Sequence, residues 1–122
     1  MNKKNYDALI KKYPKILKRA YPACGDGWYW LLNNLCSQLQ WDTDHNDAPQ
    51  VVASQIKEKF GTLRFYTNGT TDEQDGAIRL AELMSASICE NCGSHEAKTQ
   101  GKGWIVTMCK PCYAKYLKER FK

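Results

Sequence analysis

Four cysteines near the C-terminus are the residues whose type and spacing carry the clearest chemistry. Cys89 and Cys92 form one Cys-x-x-Cys pair, Cys109 and Cys112 a second, and sixteen residues separate the pairs. Each pair can grip a metal from one tight turn, and two pairs at this separation match a tetrahedral Zn2+ site of four thiolates. Such a site leaves no coordination position for water or substrate. The expected role is therefore metal binding without catalysis.

Other chemistries lack their residues. A zinc deaminase needs His-x-Glu and Pro-Cys-x-x-Cys, whereas Pro111 lies inside the second pair and neither His45 nor His95 is followed by Glu at that offset. A nuclease finger needs histidines to hold a further metal, and this finger has His95 alone. Cys24 and Gly25 stand before Trp28 as in some cysteine proteases, but no base is placed to activate the thiol. Asp42, Asp44 and Asp47 lack the glycine and glutamate of a calcium loop, so residues 41–49 read as a solvated acidic loop. Six cysteines would suit a disulfide framework in a secreted chain; with no signal-like start the expectation is a reducing cytoplasm, with Cys24 and Cys36 as small buried hydrophobes.

The elements that must position the cysteines follow from periodicity. Tyr6, Leu9, Ile10, Tyr13, Ile16 and Leu17 recur at helical spacing among lysines, and Pro14 should break that helix. Asp26 is placed to cap a second helix with Trp28, Leu31, Leu32, Leu35 and Leu39 on its core face, and Trp30 and Trp41 are expected in the core as well. VVASQIKEK and TLRFYT read as two strands of a hairpin turned at Phe60-Gly61, with Leu63 and Phe65 inward. Thr70 and Thr71 stand three residues before Glu73 and Gln74, the offset of a capping box. A helix over about 72–88 follows, with Ile78, Ala81, Met84 and Ile88 inward and Arg79, Glu82 and Ser85 outward. Gly93 suits a knuckle after Cys92, residues 100–103 a hairpin turn, 104–108 a strand, and Pro111 the first turn of a last helix bearing Tyr113, Tyr116, Leu117 and Phe121 on one side.

The fold class expected is thus α+β: N-terminal helices and a β-hairpin over residues 1–88, packed as one compact unit with a treble-clef-like zinc finger over 89–122. A chain of 122 residues is one domain by length. No run of eighteen apolar residues argues for a membrane span. The net charge of +5 is segregated: residues 1–19 and 98–122 each carry seven Lys/Arg against one acid, while 20–97 carry four against eleven. Basic ends of this kind suit a phosphate backbone or an acidic protein.

CGDGW at 24–28, QIKEKFGTLRFYTNG at 55–69, ICENCG at 88–93 and GWIVTMC at 103–109, in this order, resemble a family of small uncharacterised bacteriophage and prophage proteins. The resemblance spans most of residues 22–112; the family often carries a histidine after the last cysteine region, where this chain offers Cys112 as the fourth ligand. It implies work in the host cytoplasm and assigns no activity. Two functions are expected from the charge together with what the resemblance implies. The first is non-catalytic nucleic-acid binding, with Lys11, Lys12, Lys15, Lys110, Lys115, Lys118 and Arg120 toward phosphates and Trp104 or Tyr116 for stacking. The second is occupation of a host protein, as an anti-defence or host-takeover inhibitor, through the acidic segment 42–47 or the face of Lys57, Lys59, Arg64 and Tyr66. A zinc-finger nuclease ranks behind both.

Overall fold

A computed structural model describes residues 1–121; Lys122, the last residue of the expected finger, lies outside them. The first helix, α1 (Lys3–Lys12), is capped by the Asn2 side chain, which accepts the Asn5 N–H at 2.8 Å. It ends two residues before Pro14, with Tyr13 between, and the proline ring cannot continue a helix. Past it, Ile16 and Leu17 drop into the core. Asp26 does not cap the following helix. Its carboxylate turns back to α1 and accepts the Asn2 N–H at 2.7 Å and the Asn5 amide at 3.1 Å.

Helix α2 (Tyr29–Asn46) follows a short 3-10 turn over Asp26–Trp28. The expected loop at 41–49 is mostly the last turn and a half of this helix. Side-chain hydrogen bonds four residues apart, Gln38 to Asp42, Gln40 to Asp44 and Asn46 to Asp42, carry the helix through its polar end. Asp47, at φ 57°, then terminates it in the left-handed region. Trp28 is wholly buried and its indole N–H donates to the Ile88 carbonyl at 2.8 Å. Trp30 and Trp41, expected in the core, are 48% and 52% exposed; each is offset from the Trp28–Leu31–Leu35–Leu39 stripe and faces outward.

Strands β2 (Ala53–Lys59) and β3 (Thr62–Thr67) form the expected antiparallel hairpin, with Ile56 opposite Phe65. Phe60 and Gly61 both have positive φ, 53° and 85°, the backbone that a two-residue hairpin turn requires. The Glu58 carboxylate accepts the Gly61 N–H at 2.7 Å and pins the turn. A two-residue strand that periodicity did not suggest, β1 (Pro22–Ala23), pairs in parallel with β2, giving the order β1-β2-β3.

Helix α3 (Asp72–Ser85) begins with the expected capping box between Thr71 and Gln74 and stops three residues earlier than expected. Its rotation differs from the expectation. Ser85 is fully buried and accepts the Leu63 N–H at 2.9 Å, and Glu82 accepts the Phe65 N–H at 2.9 Å, while Met84 is partly exposed. The reason lies in the sheet: β3 is an edge strand, and α3 supplies the acceptors its outer N–H groups need. The chain is α+β, completed by a second hairpin of β4 (Ala97–Gln100) and β5 (Val106–Cys109) and by α4 (Lys110–Arg120). Among the described residues no helix is long and apolar enough to cross a membrane.

Candidate metal centre and the adjoining aromatic groove

The four sulfurs converge. Those of Cys89, Cys92, Cys109 and Cys112 all lie within 4.8 Å of one another, and the Cys92 and Cys109 sulfurs are 3.6 Å apart. Cys89 and Cys92 bracket a turn closed by the Gly93 N–H on the Cys89 carbonyl at 2.9 Å, with Gly93 at φ 85°. Cys109 ends β5 and is the N-cap of α4, and Pro111 sits in its first turn beside Cys112. A metal ion could be held here by four side chains drawn from three elements.

The thiols are prepared unevenly for that task. Burial pushes the Cys89 thiol up, but the backbone N–H groups of Cys109, Cys92 and Asn91 outweigh it and bring the pKa down to about 7. Cys92 receives the Ser94 N–H, which lowers it, yet burial and shared hydrogen bonds with Cys109, Cys89 and Cys112 carry it up to about 12. Cys112 is also raised, although the Asn91 amide donates to its sulfur at 3.3 Å and lowers it; burial and the bond with Cys109 prevail. Without a cation one thiolate forms readily and its neighbours resist a second charge. A divalent ion reverses that balance, because a coordinating thiol is deprotonated outright.

Two stretches singled out in the sequence seat this centre on the rest of the chain. In CGDGW, the Gly27 N–H donates to the Glu90 carbonyl at 2.8 Å and the Gly25 N–H to the Glu90 carboxylate at 2.9 Å. A Cβ at Gly27 would lie 2.0 Å from the Cys89 carbonyl oxygen, so only glycine permits this approach. The KEKFG turn meets the second hairpin: the Thr107 hydroxyl donates to the Gly61 carbonyl and shares a 2.6 Å bond with Thr99. Both motifs have a structural use at the junction. Cys24 and Cys36 take no part in the cluster; burial pushes each thiol up to about 12.

The expected binding residues divide into two groups. On α4 and the β4–β5 turn, Trp104, Tyr116 and Arg120 come together in a groove of about 510 Å3, with Gly101, Lys102, Tyr113, Leu117 and Phe121 as its other walls. The Arg120 guanidinium lies 5.7 Å from the Trp104 ring centroid and 5.9 Å from that of Tyr116. Tyr113 stacks on Tyr116 at 6.0 Å. The apolar side of α4 is therefore not packed into the core, and α4 has no buried residue. Lys110, Lys115 and Lys118 are exposed on the same helix. Lys102 and Phe121, which charge and periodicity did not single out for binding, belong to the groove.

On α1, Lys11 and Lys12 are exposed, and so is Lys15 in the turn past Pro14. Lys12 is engaged locally, 5.9 Å from the Tyr29 ring and 3.4 Å from Asn33 Oδ1, and Tyr13 donates to the Asn33 carbonyl at 3.2 Å. The ties of α1 run to residues 24–33, whereas α4 packs on β5. Compared with known proteins, the chain matches no protein-family model, no curated protein and no solved structure.

Proposed function

We propose that the chain is a zinc-stabilised, non-catalytic protein that binds single-stranded nucleic acid through the groove on α4. Zinc is the metal the donor set favours, since four thiolates in a compact cluster suit a tetrahedral thiophilic ion and are poor ligands for Mg2+ or Ca2+. At a Zn–S distance of about 2.3 Å, tetrahedral sulfurs stand about 3.8 Å apart; the sulfurs, within 4.8 Å of one another, need close by no more than about 1 Å. Knuckle, hairpin and a helix that supplies the last ligand suit a treble-clef-like finger. All four positions go to protein, which leaves the metal no catalytic role.

The observation that carries the nucleic-acid reading is the Arg120 guanidinium within 6 Å of the Trp104 and Tyr116 rings, with Trp104 59% exposed, Tyr116 half-buried and Lys102 among the groove walls. Base-aromatic stacking tolerates any sequence and contributes about 1–3 kcal/mol per base, and flanking lysines add the phosphate term. Titration of zinc-loaded protein with an oligo-dT strand, followed by Trp fluorescence, tests it. Quenching that saturates, and that weakens at least about tenfold in Trp104→Ala, supports the reading; unchanged affinity in that variant refutes it. Oligo-U and duplex arms separate RNA from DNA and single from double strands. Phage origin and the host cytoplasm rest on the family resemblance alone.

A further inference from the structure

A second surface lies between the two long helices of the body. Helices α2 and α3 run antiparallel: Gln74 near the start of α3 donates to the Pro49 carbonyl just past the end of α2 at 2.7 Å, and Trp28 before α2 donates to Ile88 after α3. Between them is a groove of about 300 Å3 whose walls include Trp30, Asn34, Gln38, Ala77, Leu80 and Met84. Leu80 is 58% exposed and Met84 37%, although both sit on a helix whose other side already meets the core. A soluble fold gains nothing from large apolar side chains left in water in one contiguous strip.

The groove has a polar direction. At its Trp30–Met84 end an aromatic wall is built by Trp30 against the His95 ring, at 4.9 Å between centroids. Its Gln38–Ala77 end is continued, one helical turn on, by Asp42 on α2 and Glu73 on α3, and neither 41–50 nor 68–78 holds a Lys or Arg. The described residues contain one ion pair, Lys3–Asp7, so neither carboxylate is salt-bridged to a described Lys or Arg.

We infer that this groove docks an amphipathic helix of a partner protein, with bulky apolar side chains along one face and Lys or Arg at one end. From Trp30 to Gln38 the floor is about 12 Å long, two turns at about 1.5 Å per residue, so apolar side chains at positions i, i+4 and i+7 would fill it. The basic end would lie over the acidic pole. Nucleic acid and anionic membranes are disfavoured at this surface by the same acids. The inference is independent of the groove on α4 and of what binds there.

The test uses the zinc-loaded full chain and a labelled 16-residue amphipathic helical peptide with Leu at those spacings and two Lys at one end, read by fluorescence anisotropy. A control peptide carries Glu in place of Lys. Saturable binding of the Lys peptide, at least about tenfold weaker for the Glu peptide and for Leu80→Glu, supports the inference, as does a narrowed difference between peptides in an Asp42→Asn, Glu73→Gln double variant. Leu80 is exposed, so its replacement leaves the core intact, and far-UV circular dichroism and oligo-dT affinity serve as checks. No binding at about 100 µM peptide, equal binding by Leu80→Glu, or self-association of the wild type that Leu80→Glu abolishes, which would assign the groove to a second copy, overturns it.

Discussion

Replacing Gly27 with alanine should loosen the metal centre from the body by a predictable amount. The new Cβ would lie 2.0 Å from the Cys89 carbonyl oxygen and 2.6 Å from the Glu90 carbonyl carbon and oxygen. These are backbone atoms, so no side chain can swing aside and the two segments must separate. Separation breaks the 2.8 Å bond from the Gly27 N–H to Glu90, a loss of about 1 kcal/mol. Forcing a methyl group into a packed contact adds about 1–3 kcal/mol, for a total of about 2–4 kcal/mol. Gly76→Ala is the matched control: Gly76 lies within α3 with open space around its Cβ position, and alanine there should stabilise by up to about 1 kcal/mol. Urea unfolding of both zinc-loaded variants measures the difference. With a slope of about 2 kcal/mol per M, Gly27→Ala should lower the midpoint by about 1–2 M while Gly76→Ala raises it slightly. A Gly27→Ala midpoint within error of wild type would refute the reasoning, because it would mean the knuckle does not rest on this glycine.

Three further outcomes follow from named contacts. Ser85→Ala leaves the Leu63 N–H buried without its acceptor and should destabilise by about 1–3 kcal/mol in the same urea assay, with an unchanged slope. Elemental analysis of protein kept reduced should give about one zinc per chain, lost in Cys109→Ser or Cys112→Ser, with the last third of the chain unfolding on chelation. Cys24 and Cys36, with thiols raised to about 12, should be about one part in ten thousand thiolate at pH 8 and should resist iodoacetamide until global unfolding. Their labelling in native protein faster than unfolding would contradict the burial described.

The cysteine spacing, the Phe60-Gly61 turn and the Thr71–Gln74 capping box were legible because each is a local signal: a ligand spacing, a backbone conformation, a reciprocal cap. Orientation was not. Ser85 reads as a surface residue until β3 is known to be an edge strand in need of acceptors. Asp42 to Asn46 read as loop because intrinsic preference is weak there, and the four-residue side-chain ladder that holds the helix is a property of the formed turn. The large residues Trp30, Trp41 and Met84 were expected on buried faces by size and spacing and are exposed, as is Phe121 after the last helix. That excess of uncovered apolar side chains is where the two surfaces proposed above lie.

The central claim is that α4 presents cations and aromatic rings to a nucleic-acid strand, and the salt dependence of binding tests it most directly. If Lys102, Lys110, Lys115, Lys118 and Arg120 each meet a phosphate, the plot of log Kobs against log salt for a single strand should fall with a slope of about −3.5, and Lys115→Ala should make it shallower by about 0.7. A slope near zero, or no binding at about 50 mM salt, would contradict the account.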